Sequence, residues 1–214
     1  MSLLNTILNL IFPSSCLACG QEGEYFCEGC LKDLPLAENP EEDFIYSVFN
    51  YRDKAVKRAV WLLKYNGKYS IATILARAMS DKIAEELSEL EAFENFTEPV
   101  VIPIPLSKKR LKERGFNQAE ILAEELVKIN KELNLVKNVL YKTKETKNQA
   151  RLRDRSERLK NLKGCFEIKN PELIKSRNII LIDDVSTTGA TLVEAKKVLL
   201  ASGARYVIGL TLAH

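Results

Sequence analysis

The stretch "IILIDDVSTTGATL", Ile179 to Leu192, decides how this chain is read. Four aliphatic residues run into the adjacent acids Asp183 and Asp184, then into hydroxyl residues, a single glycine and a helix start. A short continuous apolar run bounded by turn residues is the pattern of a strand buried on both faces. Two carboxylates at the end of such a strand repel each other and resist burial, so they require a cation, a hydroxyl-rich ligand or solvent. The edge at which this strand ends is therefore expected to bind something.

Working outward, "FIYSVFNY", "PVVIPIPL", "NVLYKTK", "GCFEI" and "RYVIGLTLA" read as further strands. Between them "RDKAVKRAVWLLKYNG", with Gly67 as its stop, "IATILARAMSDKIAEELSEL", "NQAEILAEELVKINKEL" and "GATLVEAKKVLLASG" carry apolar residues at helical spacing. Asn117 stands at a capping position with Glu120 three residues on. The polar, basic stretch from Lys142 to Lys163 lacks an apolar face and reads as a long loop, a feature that is often functional in compact domains. Strands alternating with helices predict an α/β fold whose mainly parallel sheet is covered on both faces. Ligands of such sheets bind beyond the carboxyl ends of the strands, where Asp183 and Asp184 are placed.

With 46% apolar and 29% charged residues the composition is that of an ordinary globular protein, which excludes a disordered or collagen-like chain. A net charge of +3 is too small to establish a nucleic-acid partner by itself. "MSLLNTILNLIF" lacks a basic leader and is too short to span a membrane, so a cytoplasmic protein is expected, with residues 3–12 as a short helix or arm packed on the body. The prolines and acids of "LPLAENPEED" separate a cysteine-rich module over residues 1–43 from a domain over residues 44–214.

After the acid pair, "STTGAT" offers hydroxyls and successive backbone N–H groups at a helix start, which together cradle phosphate. No lysine follows Gly189, so the loop lacks the ending of a nucleotide-hydrolysing Walker loop. Acids suited to vicinal hydroxyls next to a phosphate cradle describe a site for a ribose 5-phosphate. Ile180 to Leu192 resembles the signature of the type I phosphoribosyltransferases, with its aliphatic triplet, acid pair, Val185 and phosphate loop. The resemblance implies that fold. It also implies that Asp183 and Asp184 face the ribose hydroxyls of phosphoribosyl pyrophosphate and hold Mg²⁺ indirectly, while Thr187, Thr188, Gly189, Ala190 and Thr191 hold the 5-phosphate. Purine-salvage members carry an acid where Thr187 stands, and its absence argues against a hypoxanthine or guanine acceptor.

"PIPLSKKRLKERGFNQAE" places Lys108, Lys109, Arg110 and Arg114 just after a strand, and it resembles the pyrophosphate loop of the competence protein F (ComF) subgroup through Arg114, Gly115, Phe116, Asn117 and Gln118. "KTKETKNQARLRDRSERLKN", with Arg151 and Arg155, resembles the same family's flexible catalytic loop, which closes over the diphosphate and excludes water. A nucleic-acid arm is the competing reading of these basic segments, and Phe116 and Tyr141 are the rings that would stack on bases.

Cys16, Cys19, Cys27 and Cys30 form two CxxC knuckles, whose four thiolates suit one tetrahedral Zn²⁺ with no open position, hence a structural zinc ribbon. Disulfides are the alternative in an oxidising compartment. ComF relatives carry the same cysteine module. Cys165 reads as a buried strand residue, and His214, the single histidine, as an exposed terminal one.

Taken together, the resemblance implies Mg²⁺-dependent phosphoribosyl transfer, with Lys108, Arg110, Arg114, Arg151 and Arg155 neutralising the departing pyrophosphate. The chain has no glutaminase domain, which speaks against glutamine-dependent amidotransfer. The ComF resemblance further implies a role in DNA uptake during natural competence, with single-stranded DNA and competence-machinery proteins as partners. The alternative is a non-catalytic competence factor that binds single-stranded DNA or a helicase, its ligand site regulatory or vestigial.

Overall fold

A computed structural model describes residues 14–38, 42–66, 69–145 and 161–214. The arm expected at residues 3–12, and Arg151 and Arg155 within the basic segment, lie outside the described residues. In chain order the elements are α1 (Glu28–Lys32), β1 (Ile45–Phe49), α2 (Lys54–Asn66), α3 (Tyr69–Glu94), β2 (Val100–Pro103), α4 (Lys108–Arg114), α5 (Gln118–Ile129), β3 (Asn134–Leu135), β4 (Leu140–Lys142), β5 (Phe166–Ile168), β6 (Asn178–Val185), α6 (Ala190–Ala201) and β7 (Tyr206–Ala213).

Five strands form one sheet in the order β1-β7-β6-β2-β3, every neighbouring pair parallel. The expected mainly parallel α/β sheet is thus present. β4 pairs antiparallel with β5 in a separate two-stranded ribbon, so two of the expected strands lie outside the main sheet.

Alternation along β6 divides the core. Ile180 and Ile182 face the cluster built with α2, α3 and α5, whereas Ile179 and Leu181 face the one built with α6 and the ribbon. All four are buried, each stabilising the fold by about 1.5–3 kcal/mol relative to exposure. On α2, Ala55, Val56, Ala59, Val60 and Leu63 are buried at helical spacing, and the Asp53 carboxylate opens the helix by accepting from the N–H groups of Ala55 (2.8 Å) and Val56 (3.0 Å).

Three local readings change. Asn117 caps α5 by accepting from Ala119 N–H, while Glu120 pairs with Lys137 at 2.7 Å instead of closing a capping box. α5 ends at Ile129, and Asn134–Leu135 become an edge strand. Lys108 to Arg114 form a helix, capped by the Ser107 hydroxyl and ended by Gly115 at φ 83°, where only a loop was expected. Its five basic residues in seven hide the helical signal, since they present no apolar stripe.

The cysteine module packs on this body. Phe26 and Leu34 are buried in the same cluster as α2 and α3, and residues 35–37 bond to the end of β1 through Ala37 N–H to Val48 O and Asn50 N–H to Pro35 O. No helix of the described residues is long and apolar enough to cross a membrane.

Candidate functional site

β2 and β6 are neighbours, yet the chain leaves β2 toward β3 on one side and β6 toward β7 on the other. Such a switch point opens a crevice beyond the carboxyl ends of the two strands. Pro103 lies beside Ile182, and Ile104 N–H donates to Ile182 O at 2.8 Å, so the segment entering α4 and the acidic loop are held side by side.

The two acids turn to opposite faces, as successive strand residues do, yet remain close enough for their charges to interact. Asp184 is buried on the α2 side, where Lys64 Nζ approaches its Oδ2 to 3.1 Å. Asp183 turns the other way and accepts from Asp184 N–H at 2.8 Å. Burial, reinforced by the Asp184 charge, pushes the Asp183 carboxyl up to about 7. The fold therefore prefers the protonated acid: its contribution to stability is complete below the ordinary value of 3.8 and is lost as pH rises through about 7. Between about pH 4 and pH 7 the melting temperature of the wild type should fall, relative to that of Asp183→Asn, as the pH rises. Parallel melting curves would contradict the placement of this carboxyl.

Beyond the acids, Gly189 adopts φ 68° and opens α6, whose N–H groups point into the loop. A Cβ there would lie 2.9 Å from Ile45 Cδ1 and 3.1 Å from Glu42 Cγ, in a conformation that side chains disfavour. Gly189→Ala should destabilise the protein by about 1–3 kcal/mol, visible as a lower denaturation midpoint. An unchanged midpoint would mean that the loop relaxes freely.

Ser186 Oγ, Thr188 Oγ1 and Asp184 Oδ2 are buried and make no hydrogen bond among the described residues, Asp184 Oδ2 having the Lys64 ammonium at 3.1 Å as its ion-pair partner. Two buried hydroxyls without a hydrogen bond, beside a buried carboxylate held only by one lysine, are costly unless a ligand or ion completes them. Acid and hydroxyl oxygens are the donor set that Mg²⁺ and a hydroxylated, phosphorylated ligand accept, so the residues fit both.

The expected basic residues are brought only partly to this crevice. Lys108 lines a cavity of about 540 Å³ between β2, β3 and the β4–β5 ribbon. Arg110 is half-buried after the Ser107 cap. Arg114 instead turns to Gln118 and to the Tyr65 ring, 5.7 Å from its centroid. Glu145 reaches back to the start of α4, accepting from the Ser107 hydroxyl at 2.8 Å and Lys109 N–H at 3.2 Å. That contact ties the start of the basic segment to the helix after β2.

Three positions beside the candidate site escaped sequence reasoning. Lys64 was one cation among many on α2 and is marked only by the fold, which aims it at Asp184. Lys142 ends β4 in the same cavity as Lys108, and burial holds it below the ordinary lysine range, with Arg110 adding to that and Cys165 and Asp183 opposing. His214, expected to be exposed, is half-buried with Nδ1 2.9 Å from Ser186 O, so it braces the loop after the acids. A larger cavity of about 660 Å³ lies between β1, α3 and the cysteine module, lined by residues other than the acid pair.

The four Sγ atoms of Cys16, Cys19, Cys27 and Cys30 lie within 4.8 Å of one another, and all four thiols are free. Cys27 Sγ is 3.9 Å from Cys16 Sγ and 3.8 Å from Cys19 Sγ, close to the ~3.8 Å edge of a tetrahedron with Zn–S bonds of about 2.3 Å. Burial opposes ionisation of Cys16, but the backbone N–H groups of Cys19, Cys27 and Ala18 bring its thiol down to about 6. Hydrogen bonding with Cys27 and Cys19 pushes Cys30 up to about 12. One thiolate thus blocks the next, a conflict that a dication at the centre relieves. The cluster has the chemistry of a closed structural site. Cys165 is buried, immediately before β5.

Residues 70–214 match the phosphoribosyl transferase domain family. The competence protein F of Haemophilus influenzae is 31% identical over 195 residues, covering 88% of this chain and 79% of that protein. The competence protein ComFC of Bacillus subtilis is 36% identical over 166 residues, covering 73% and 58%. The DNA utilization protein YhgH of Escherichia coli O157:H7 is 31% identical over 147 residues, covering 68% and 61%. The chain spans less than two thirds of the length of the latter two relatives.

Proposed function

The chain belongs to the phosphoribosyl transferase domain family, among the competence protein F relatives, and from that premise we propose that it binds phosphoribosyl pyrophosphate with Mg²⁺ and transfers the phosphoribosyl group to an acceptor. The observation that carries this reading is the run of buried oxygens without a hydrogen bond on Asp184, Ser186 and Thr188 at the switch point of a parallel sheet. A ribose 5-phosphate satisfies both halves of that run.

In the reaction the acceptor attacks the anomeric carbon while the bond from that carbon to the pyrophosphate oxygen breaks, and the oxygen keeps the electron pair. Mg²⁺ supplies charge neutralisation on the pyrophosphate when bound. Asp183 and Asp184 orient the ribose hydroxyls, and the loop from Thr187 to Thr191 anchors the 5-phosphate against the α6 N-terminus. Lys108, Arg110 and Lys142 face the departing pyrophosphate, joined by Arg114 when its side chain leaves Tyr65. Arg151 and Arg155 add positive charge for the same leaving group. The cysteine cluster holds Zn²⁺ as a structural ion. The names of the relatives, competence and DNA utilization, support a role linked to the uptake or use of DNA.

Calorimetric titration of the zinc-loaded protein with phosphoribosyl pyrophosphate should give saturable heat that requires Mg²⁺. Absence of heat from a folded protein would remove the reading.

A further inference from the structure

The last turn of α2 touches the candidate site twice. Lys64 meets Asp184 there, and of the ion pairs among the described residues this one is the most enclosed, with 23% of the lysine side chain and 7% of the carboxylate side chain exposed. Its neighbour Tyr65 is exposed and carries the Arg114 guanidinium over its ring, 5.7 Å from the centroid, while Gln118 accepts from the same guanidinium. Adjacent residues of one helix therefore hold an acid of the ribose edge and a base of the segment after β2.

Each contact has the character of a group that the ligand would bring. Lys64 places one positive charge 3.1 Å from Asp184 Oδ2, yet that oxygen makes no hydrogen bond. The lysine balances the charge of the carboxylate and leaves its lone pairs unfilled, as an exchangeable partner does. The Tyr65 ring offers Arg114 the negative face of its π system, a weaker partner than a phosphate oxygen. A dication near Asp184 repels the ammonium, and a pyrophosphate attracts the guanidinium more strongly than the ring does. Lys64 has a second berth, because in the last turn of α2 it also meets the negative end of the helix dipole.

We propose that the last turn of α2 stands in for the ligand when none is bound, Lys64 for its cation at Asp184 and the Tyr65 ring for its anion at Arg114, and that binding releases both together. The identity of the ligand rests on the phosphoribosyl pyrophosphate reading, whereas the two contacts belong to the protein alone. The exchange reaches the surface. Trp61 stands one turn before Tyr65, is 55% exposed and has its ring 5.5 Å from the tyrosine ring, so release of Tyr65 alters the outer face of α2. Leu63, between them, is fully buried and keeps the helix itself in place.

A ligand that must first displace such partners binds with reduced apparent affinity, and removing a partner lifts that reduction. Trp61 is the only tryptophan in the chain, so its emission reports on this turn alone. The zinc-loaded protein is titrated with phosphoribosyl pyrophosphate at a series of Mg²⁺ concentrations, with heat and tryptophan emission read in parallel. In the wild type the emission should change and saturate with the heat. Lys64→Met should lower the Mg²⁺ concentration needed for half-maximal heat by at least about threefold, since no ammonium has to be displaced. Tyr65→Leu, at an exposed position that spares the fold, should tighten binding about two- to fivefold by freeing Arg114.

Without ligand, Lys64→Met should melt at least about 5 °C below the wild type, because it leaves a buried carboxylate without its counter-charge, and adding Asp184→Asn should recover part of that loss. A lysine or tyrosine that contacts the ligand directly would weaken binding when removed. That result overturns the proposal, as do an unchanged Mg²⁺ requirement, an unchanged melting temperature in Lys64→Met, or heat with constant emission. In each of these cases the wild type still binds and the ligand reading stands. No heat from a folded wild type removes the ligand reading and this inference with it.

Discussion

Replacing Asp183 and Asp184 together by asparagine should abolish Mg²⁺-dependent binding of phosphoribosyl pyrophosphate. Each carboxylate would give a charge-assisted contact to a ribose hydroxyl or to water around the ion. Two lost contacts of about 1.5–3 kcal/mol weaken binding by at least about 100-fold, beyond what calorimetry detects for a ligand of ordinary affinity. Turnover should fall further, because preorganised charge at the reacting centre acts mainly on the transition state. The fold should survive, since asparagine keeps the shape of aspartate and removes a carboxyl that burial has already pushed up to about 7. Melting curves would show an intact protein with no ligand heat. Wild-type affinity in the double variant would mean that the acid pair does not hold the ligand.

Removing the metal from the cysteine cluster should have the largest effect on stability. The module has little core of its own: α1 contains no buried residue, and Cys16, Phe26 and Leu34 are the buried apolar side chains of residues 14–38. Structural zinc in small modules binds with an apparent free energy of about 10–16 kcal/mol, comparable with the whole stability of a domain. Without it four thiols crowd together, and the shifts of Cys16 to about 6 and Cys30 to about 12 show how poorly they share charge. Because Phe26 and Leu34 enter the cluster shared with α2 and α3, unfolding the module also strips the body of part of its cover. A strong chelator should lower the melting temperature, expose residues 14–38 to protease, and act reversibly on addition of Zn²⁺. A metal-free protein that melts as before, with Phe26 still protected, would refute a structural role for the ion.

The central strand, the helices α2, α3, α5 and α6, the acid pair, the phosphate loop and the four cysteines were legible in the chain itself. Each rests on local physics: an aliphatic run followed by acids and hydroxyls, apolar residues at helical spacing, paired CxxC knuckles. Short elements were not. α4 hides behind its charges, and β3 is an edge strand of two residues that exists only because β2 offers it a parallel partner.

At the site the same division holds. Sequence placed Asp183 and Asp184 together at the end of a strand, and the fold turns them to opposite faces while the Asp184 charge still raises the Asp183 carboxyl. The sheet sends Asp184 toward Lys64 and Asp183 toward the opposite face, a pairing between residues far apart in the chain. Lys142 and His214 gain their meaning in the same manner, from the ribbon that buries one and from the strand end that sets the other against Ser186. The exposed aromatic pair on α2 also required the fold, since helical spacing alone did not say which face the core would cover. Identity and spacing within one element are local and can be read from the chain. Which elements meet, and which faces are left to solvent, depends on long-range packing, and that was decided only when the sheet brought β2 and β6 together.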